Sequence, residues 1–226
     1  MTDKPILFSA PMVRALLEGR KTMTRRIIKP RPYNSDGDTV NIAIAKSASL
    51  VKGWDGCWYF QFEHPLGGPL TAYRASYASG ERLWVREAWR ASKDYDAYPP
   101  RELSRWPVHY EADGPPDPRD GLHMNGKLRP SMFMPRWASR LTLTVTDVKV
   151  ERLQDISEDD AWAEGVENCG EPDGGRSIPG EGRELFQNLW SSINGPDAWT
   201  ANPWVAATSF TVRLGNIDET TAPVRG

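Results

Sequence analysis

Cysteine is nearly missing from this sequence: Cys57 and Cys169 are the only two. Two thiols make no disulfide framework, and the expectation is a reducing, cytoplasmic setting. Histidine is almost as scarce, with His64, His109 and His123 far apart. No CxxC or HExxH spacing occurs, so neither a metal site nor another cofactor is expected. No apolar run approaches the length that crosses a bilayer, so no membrane partner is expected. A secretory pattern is absent too, because Asp3 sits in the charged region and Ser9, Pro11 and Arg14 break the apolar stretch. The chain has no excess of basic charge either: its formal net charge is −2. Attraction for an anion must therefore come from a local cluster.

Such a cluster exists. Arg14, Arg20, Lys21, Arg25, Arg26, Lys29 and Arg31 fall within one short run, opposed only by Glu18. Phosphate, a nucleotide or RNA are the anions that such a patch attracts. Inside it, Lys21 precedes Thr24 by three positions, with Thr22 between them. The 226-residue chain is long enough to bury a real core, and its 10 tryptophans mark it as globular.

Periodicity outlines the elements. Residues 5–8 read as a strand, and Ser9 and Pro11 open a helix whose Met12, Val13, Leu16 and Leu17 share one face. Gly19 ends that helix and residues 21–28 exit as a strand. Leu141, Leu143 and Val145 alternate with threonines in the strongest strand signal, within 132–153. Ser157 caps a short helix that Gly165 stops. Leu185, Phe186, Leu189, Trp190 and Ile193 form the apolar face of another helix, and residues 204–214 read as a closing strand. Shorter strands are expected at 57–63, 81–89 and 107–111, and a turn at Asp36-Gly37. Without a βαβ rhythm, the fold class is α+β with a mostly antiparallel sheet. The expected organisation is one domain over 1–214, with loop-rich insertions at about 33–80 and 92–130, and a tail at 215–226.

Three segments carry a family resemblance. The run Glu18-Gly19-Arg20-Lys21-Thr22-Met23-Thr24-Arg25-Arg26 resembles the GRKT signature of ASCH-domain proteins. The segments Gly80-Glu81-Arg82-Leu83-Trp84-Val85-Arg86-Glu87 and 150–165 extend the match, and Pro135-Arg136-Trp137-Ala138 with Asn202-Pro203-Trp204-Val205 resemble the long members common in phages and prophages. The resemblance is weak across 33–80 and 92–125. It implies a PUA-like β-barrel with flanking short helices, a fold often used to bind RNA. It also implies, from the small bacterial members, an amidohydrolase that removes an acyl group from N4 of cytidine. Carried over by motif, Lys21, Thr24 and Glu164 would be the catalytic set. The local Arg25-Arg26-Ile27 is more basic than the corresponding stretch of the small enzymes.

The chemistry that this implies is specific. A threonine hydroxyl attacks an amide only if a neighbour takes its proton. A lysine can do so only when neutral, a state favoured by burial and by like charges such as Arg20, Arg25 and Arg26. Glu164 would orient and protonate the leaving amine. Thr22 is a rival nucleophile, since strand residues three apart point to opposite faces. Arg20, Arg26, Trp84, Arg86 and Glu87 are candidate substrate contacts, with Glu87 the substitute for Glu164. Plainer roles compete for each: a lysine that interacts with a helix end, an ordinary strand threonine, a salt bridge. Trp54, Trp58, Trp84, Trp89 and Trp137 are candidates to stack on a base or to fill the core. The resulting expectation is a metal-independent hydrolase of an acylated cytosine nucleoside or nucleotide. The alternatives are a non-catalytic RNA-binding module and a phage accessory protein.

Overall fold

The computed structural model describes residues 3–29, 40–103, 107–117, 125–167 and 179–219. The turn expected at Asp36-Gly37, Arg31, His123, Cys169 and the end of the tail lie outside the described residues. In chain order the strands are β1 (Lys4–Leu7), β2 (Met23–Ile27), β3 (Ser47–Lys52), β4 (Trp58–Glu63), β5 (Pro69–Arg74), β6 (Arg82–Arg86), β7 (Trp89–Arg90), β8 (His109–Tyr110), β9 (Leu141–Arg152) and β10 (Trp204–Leu214). The helices are α1 (Ala10–Leu17), α2 (Glu158–Ala163) and α3 (Glu181–Asn194). The fold is α+β, and its strand pairs are mostly antiparallel.

Contacts divide the chain into two compact units. The first comprises residues 1–19, 80–144 and 211–226. There β1 runs parallel to β6, with Lys4 opposite Leu83, and β6 runs antiparallel to β9, with Leu83 opposite Leu143. The alternating leucines of β9 and Leu83 are fully buried, as their period predicts. Helix α1 follows β1 and buries Val13 and Leu16. Ser9 holds its N-cap position but makes no side-chain cap, and the Ser9 carbonyl accepts from Val13 N instead. A second small core gathers Trp89, Leu103, Met134 and Ala138.

The second unit comprises residues 20–79 and 145–210. Its main sheet orders β9, β10 and β2, with β10 antiparallel to β2 and Thr208 opposite Thr24. One face of β2 packs Ile27 against a core of Leu153, Ile156, Ala161, Phe186, Trp190 and Val205, which brings α2 and α3 onto the sheet. The stretch read as a loop-rich insertion forms its own sheet, β3-β4-β5. Phe60 and Phe62 of β4 are buried, and Phe62 meets Trp204 edge-on with ring centres 5.7 Å apart. The expected barrel is not formed: among the described residues the strand orders are open. Strands β3 to β5 pair with one another and add no member to the sheet that holds β2, whose edges are β1 and β2.

Candidate functional site: the two faces of β2

Lys21 sits just before β2 and pairs with Glu164 in an isolated antiparallel bridge. Thr22 N donates to the Ala163 carbonyl at 2.9 Å, so the end of α2 is stitched to the entry of β2. Lys21 is fully buried, and its Nζ donates to the Glu164 carbonyl at 2.7 Å and to Glu164 Oε2 at 2.8 Å. Two of the three motif residues, 143 positions apart in sequence, are thereby in direct contact.

Arg25 shares that face and completes a network that sequence reasoning missed. Its Nη1 donates to Glu164 Oε1 at 3.2 Å and lies 3.1 Å from Met23 Sδ. Its Nη2 donates to Glu151 at 2.7 Å and to Asp160 at 2.8 Å. Lys149 of β9 bonds Asp160 and lies 3.1 Å from Glu151. Three cations therefore face three carboxylates. Arg25 was expected to press like charge on Lys21, but it is spent on those carboxylates. Asp160 stood three positions after the capping Ser157, whose hydroxyl accepts from Asp160 N at 3.1 Å. Its side chain turns to Arg25 and Lys149. Burial pushes the Asp160 carboxyl up, but the Lys149 hydrogen bond and the Arg25 charge outweigh it and hold it below its ordinary range. The alternation of Lys149 with Glu151 along β9 was the available signal for this network.

Thr24 and Arg26 belong to the other face of β2, since successive strand residues alternate. Thr24 is buried and lies opposite Thr208, and Arg26 lies opposite Ala206. Thr208, Ala206 and Arg26 line a cavity of about 260 Å³ within this unit. Its other walls are Phe60, Tyr73 and Tyr77, with Lys29, Arg74 and Val148. Three cations and three aromatic rings line it, and the lining residues include no carboxylate. The Tyr73 hydroxyl is buried and has no hydrogen-bond partner among the described residues. Of the cavity's aromatic rings, none was singled out from sequence, because they lie where the family resemblance is weak. The pattern Trp58, Phe60, Phe62 in β4 was the signal available. The structure thus brings Lys21 to Glu164, while Thr24 lies across the strand from both. Thr22 is exposed.

The remaining candidates have other surroundings. Arg20 donates to the Gly165 carbonyl at 2.8 Å and to Glu167 at 3.0 Å, gripping the chain just after α2. In the first unit, Arg86 lies over the Trp84 ring, 5.1 Å from its centre, and donates to the Met134 carbonyl. Trp84 is only 9% exposed, so a stacking base would have to displace that guanidinium. Glu87 is buried and takes Arg140 through two bonds of 3.0 Å, so its charge is held in a salt bridge with Arg140. Burial raises the Glu87 carboxyl against the lowering effect of Arg140. Trp89 is core and Trp54 is fully exposed. The first unit's own cavity, about 560 Å³, is lined by Tyr110, Trp137 and Asp218, the last of which is held by Arg136 at 2.6 Å. Among the described residues no group of His, Cys, Asp and Glu is placed to hold a metal ion. No helix among them is long and apolar enough to cross a membrane.

Comparison with known proteins adds little to this geometry. No protein-family model matches the chain, and no curated protein matches it. A solved structure, protein EF3133 from Enterococcus faecalis V583, assigned to DUF984, aligns over 98% of this chain and 88% of its own, at 9% identity and a TM-score of 0.39.

Proposed function

We propose that this chain is an ASCH-type, PUA-like protein that binds a nucleobase-bearing ligand, of the modified-cytosine class, in the cavity beside Arg26 and Thr208. The observation that carries this reading is the lining: aromatic rings from β4 and β5, cations at the rim, no carboxylate, and an unpaired Tyr73 hydroxyl. Aromatic side chains take the face of a base, and one polar group reads its edge. A buried hydroxyl left unpaired costs about 1–3 kcal/mol, which a ligand's polar edge would recover once a shift of the whole Tyr73 side chain opens its hydroxyl to the cavity. At about 260 Å³ the cavity is just below the usual size of small-molecule pockets, which suits a single base. The choice of cytosine comes from the resemblance of residues 18–26, 80–87 and 150–165. The test is calorimetric titration with cytidine and N4-acetylcytidine. Saturable binding is expected, weakened several-fold in Tyr73→Phe; no binding at millimolar ligand rejects the reading.

A second reading, hydrolysis of an N4-acylated cytosine, is favoured by one contact, the 2.8 Å pair of Lys21 with Glu164. It requires Thr24 to meet Lys21 around β2 when substrate binds. Incubation with N4-acetylcytidine checks it. Release of acetate that stops in both Thr24→Ala and Lys21→Ala supports it. Full turnover in either variant removes it.

A further inference from the structure

We infer that the ligand of this cavity carries a phosphate and is a mononucleotide, neither a bare nucleoside nor a run of RNA. This rests on the reading that the cavity takes a base. Three observations lead to it. The interior and the rim differ in kind: Phe60 and Val148 are buried, whereas Arg26, Lys29 and Arg74 are exposed. An apolar ring inside and an anion at the mouth match that division. The cations also come from two separate segments, Arg26 and Lys29 from β2 and its exit and Arg74 from the end of β5. Cations that arrive from two sides at one opening form a clamp on one anion, where a track along a nucleic-acid backbone needs a stripe. The third is the charge of the whole chain. At a net charge of −2 and an isoelectric point near 6.0, the chain as a whole offers a polyanion no net attraction. A guanidinium such as Arg74 binds a phosphate bidentately, which a neutral ribose hydroxyl does not reproduce.

The experiment is calorimetric titration of the full chain with cytidine, cytidine 5′-monophosphate and a single-stranded RNA hexamer, in wild type, Arg26→Ala and Arg74→Ala. Both arginines are exposed, and the melting temperature of each variant is measured alongside so that a loss of affinity is separated from a loss of fold. The expected result is that the monophosphate binds about 10- to 100-fold tighter than cytidine, and that each variant erases most of that difference. Equal affinity for cytidine and its monophosphate overturns the inference and leaves the base-binding reading standing. Binding of neither, and none of N4-acetylcytidine in the titration above, overturns both. Tighter binding of the hexamer, with an affinity that falls steeply as salt rises, overturns the inference in favour of RNA.

Discussion

Lys21 and Glu164 are both withdrawn from water, and each is the other's nearest compensation. Removing one side of a buried pair leaves an unpaired charge and costs about 3–5 kcal/mol. Glu164→Leu should therefore lower the melting temperature by about 6–20 °C, at about 2–4 °C per kcal/mol for a chain of this size, and Lys21→Met by less, because Arg25 still holds Glu164 at 3.2 Å. The double variant should recover much of the loss, since Arg25 keeps Glu151 and Asp160. Additive melting shifts in the double variant would contradict the pairing. Asp160 gives a pH-dependent counterpart. Its carboxyl lies below its usual value of 3.8. A depressed folded pKa is stability that is present above the unfolded value and lost as pH falls through the folded one. The stability gap between wild type and Asp160→Asn, measured by urea melts, should thus be open at about pH 6 and narrow steadily as the pH falls below the usual carboxyl value of 3.8.

Helices α2 and α3 show how one element finishes another. Glu158, in the first turn of α2, accepts Gly182 N at 2.7 Å and Arg183 N at 3.2 Å. These are backbone donors of the first turn of α3, which have no partner within their own helix. Its Oε1 also accepts from Trp162 Nε1 at 3.1 Å, which holds the carboxylate in place. Glu158→Ala should cost about 0.5–2 kcal/mol, as loss of a helix cap does. Gly182 is the close approach that permits this junction. A Cβ there would lie 2.7 Å from Trp162 Nε1 and 2.8 Å from Glu158 Oε1. In an open helix, glycine to alanine stabilises by about 1 kcal/mol. Gly182→Ala should reverse that sign, and a melting temperature raised by this change would show that α3 does not pack as described.

At the scale of the whole molecule, charge is the property with a direct readout. The basic run of residues 14–31 is diluted by the rest of a chain whose net charge is −2. At a pH near 7 the protein should pass through a heparin column at physiological salt, because polyanion affinity follows the number of cations that meet the polymer. Retention to high salt would point to an extended nucleic-acid surface. A nucleotide clamp of three side chains would survive the same salt better than such a surface, which separates the two by a second, independent measurement.

Local pattern was enough for the elements whose period is strong and whose partners are interchangeable. The helix over 10–17, the entry to β2, the leucine alternation of β9, the apolar face of α3 and the strand over 204–214 follow from side-chain spacing, because burying one face of a helix or strand depends on period alone. The contact of Lys21 with Glu164 was expected only through family resemblance. Tertiary structure decided the rest. Whether Arg25 presses on Lys21 or is neutralised depends on carboxylates brought from β9 and α2, more than a hundred residues away. Whether Thr24 shares a space with Lys21 depends on which face of β2 each occupies. The cavity needs Phe60, from the strand expected at 57–63, together with Tyr73 from β5, which was read only as part of an insertion, since such short strands declare themselves only when they pair.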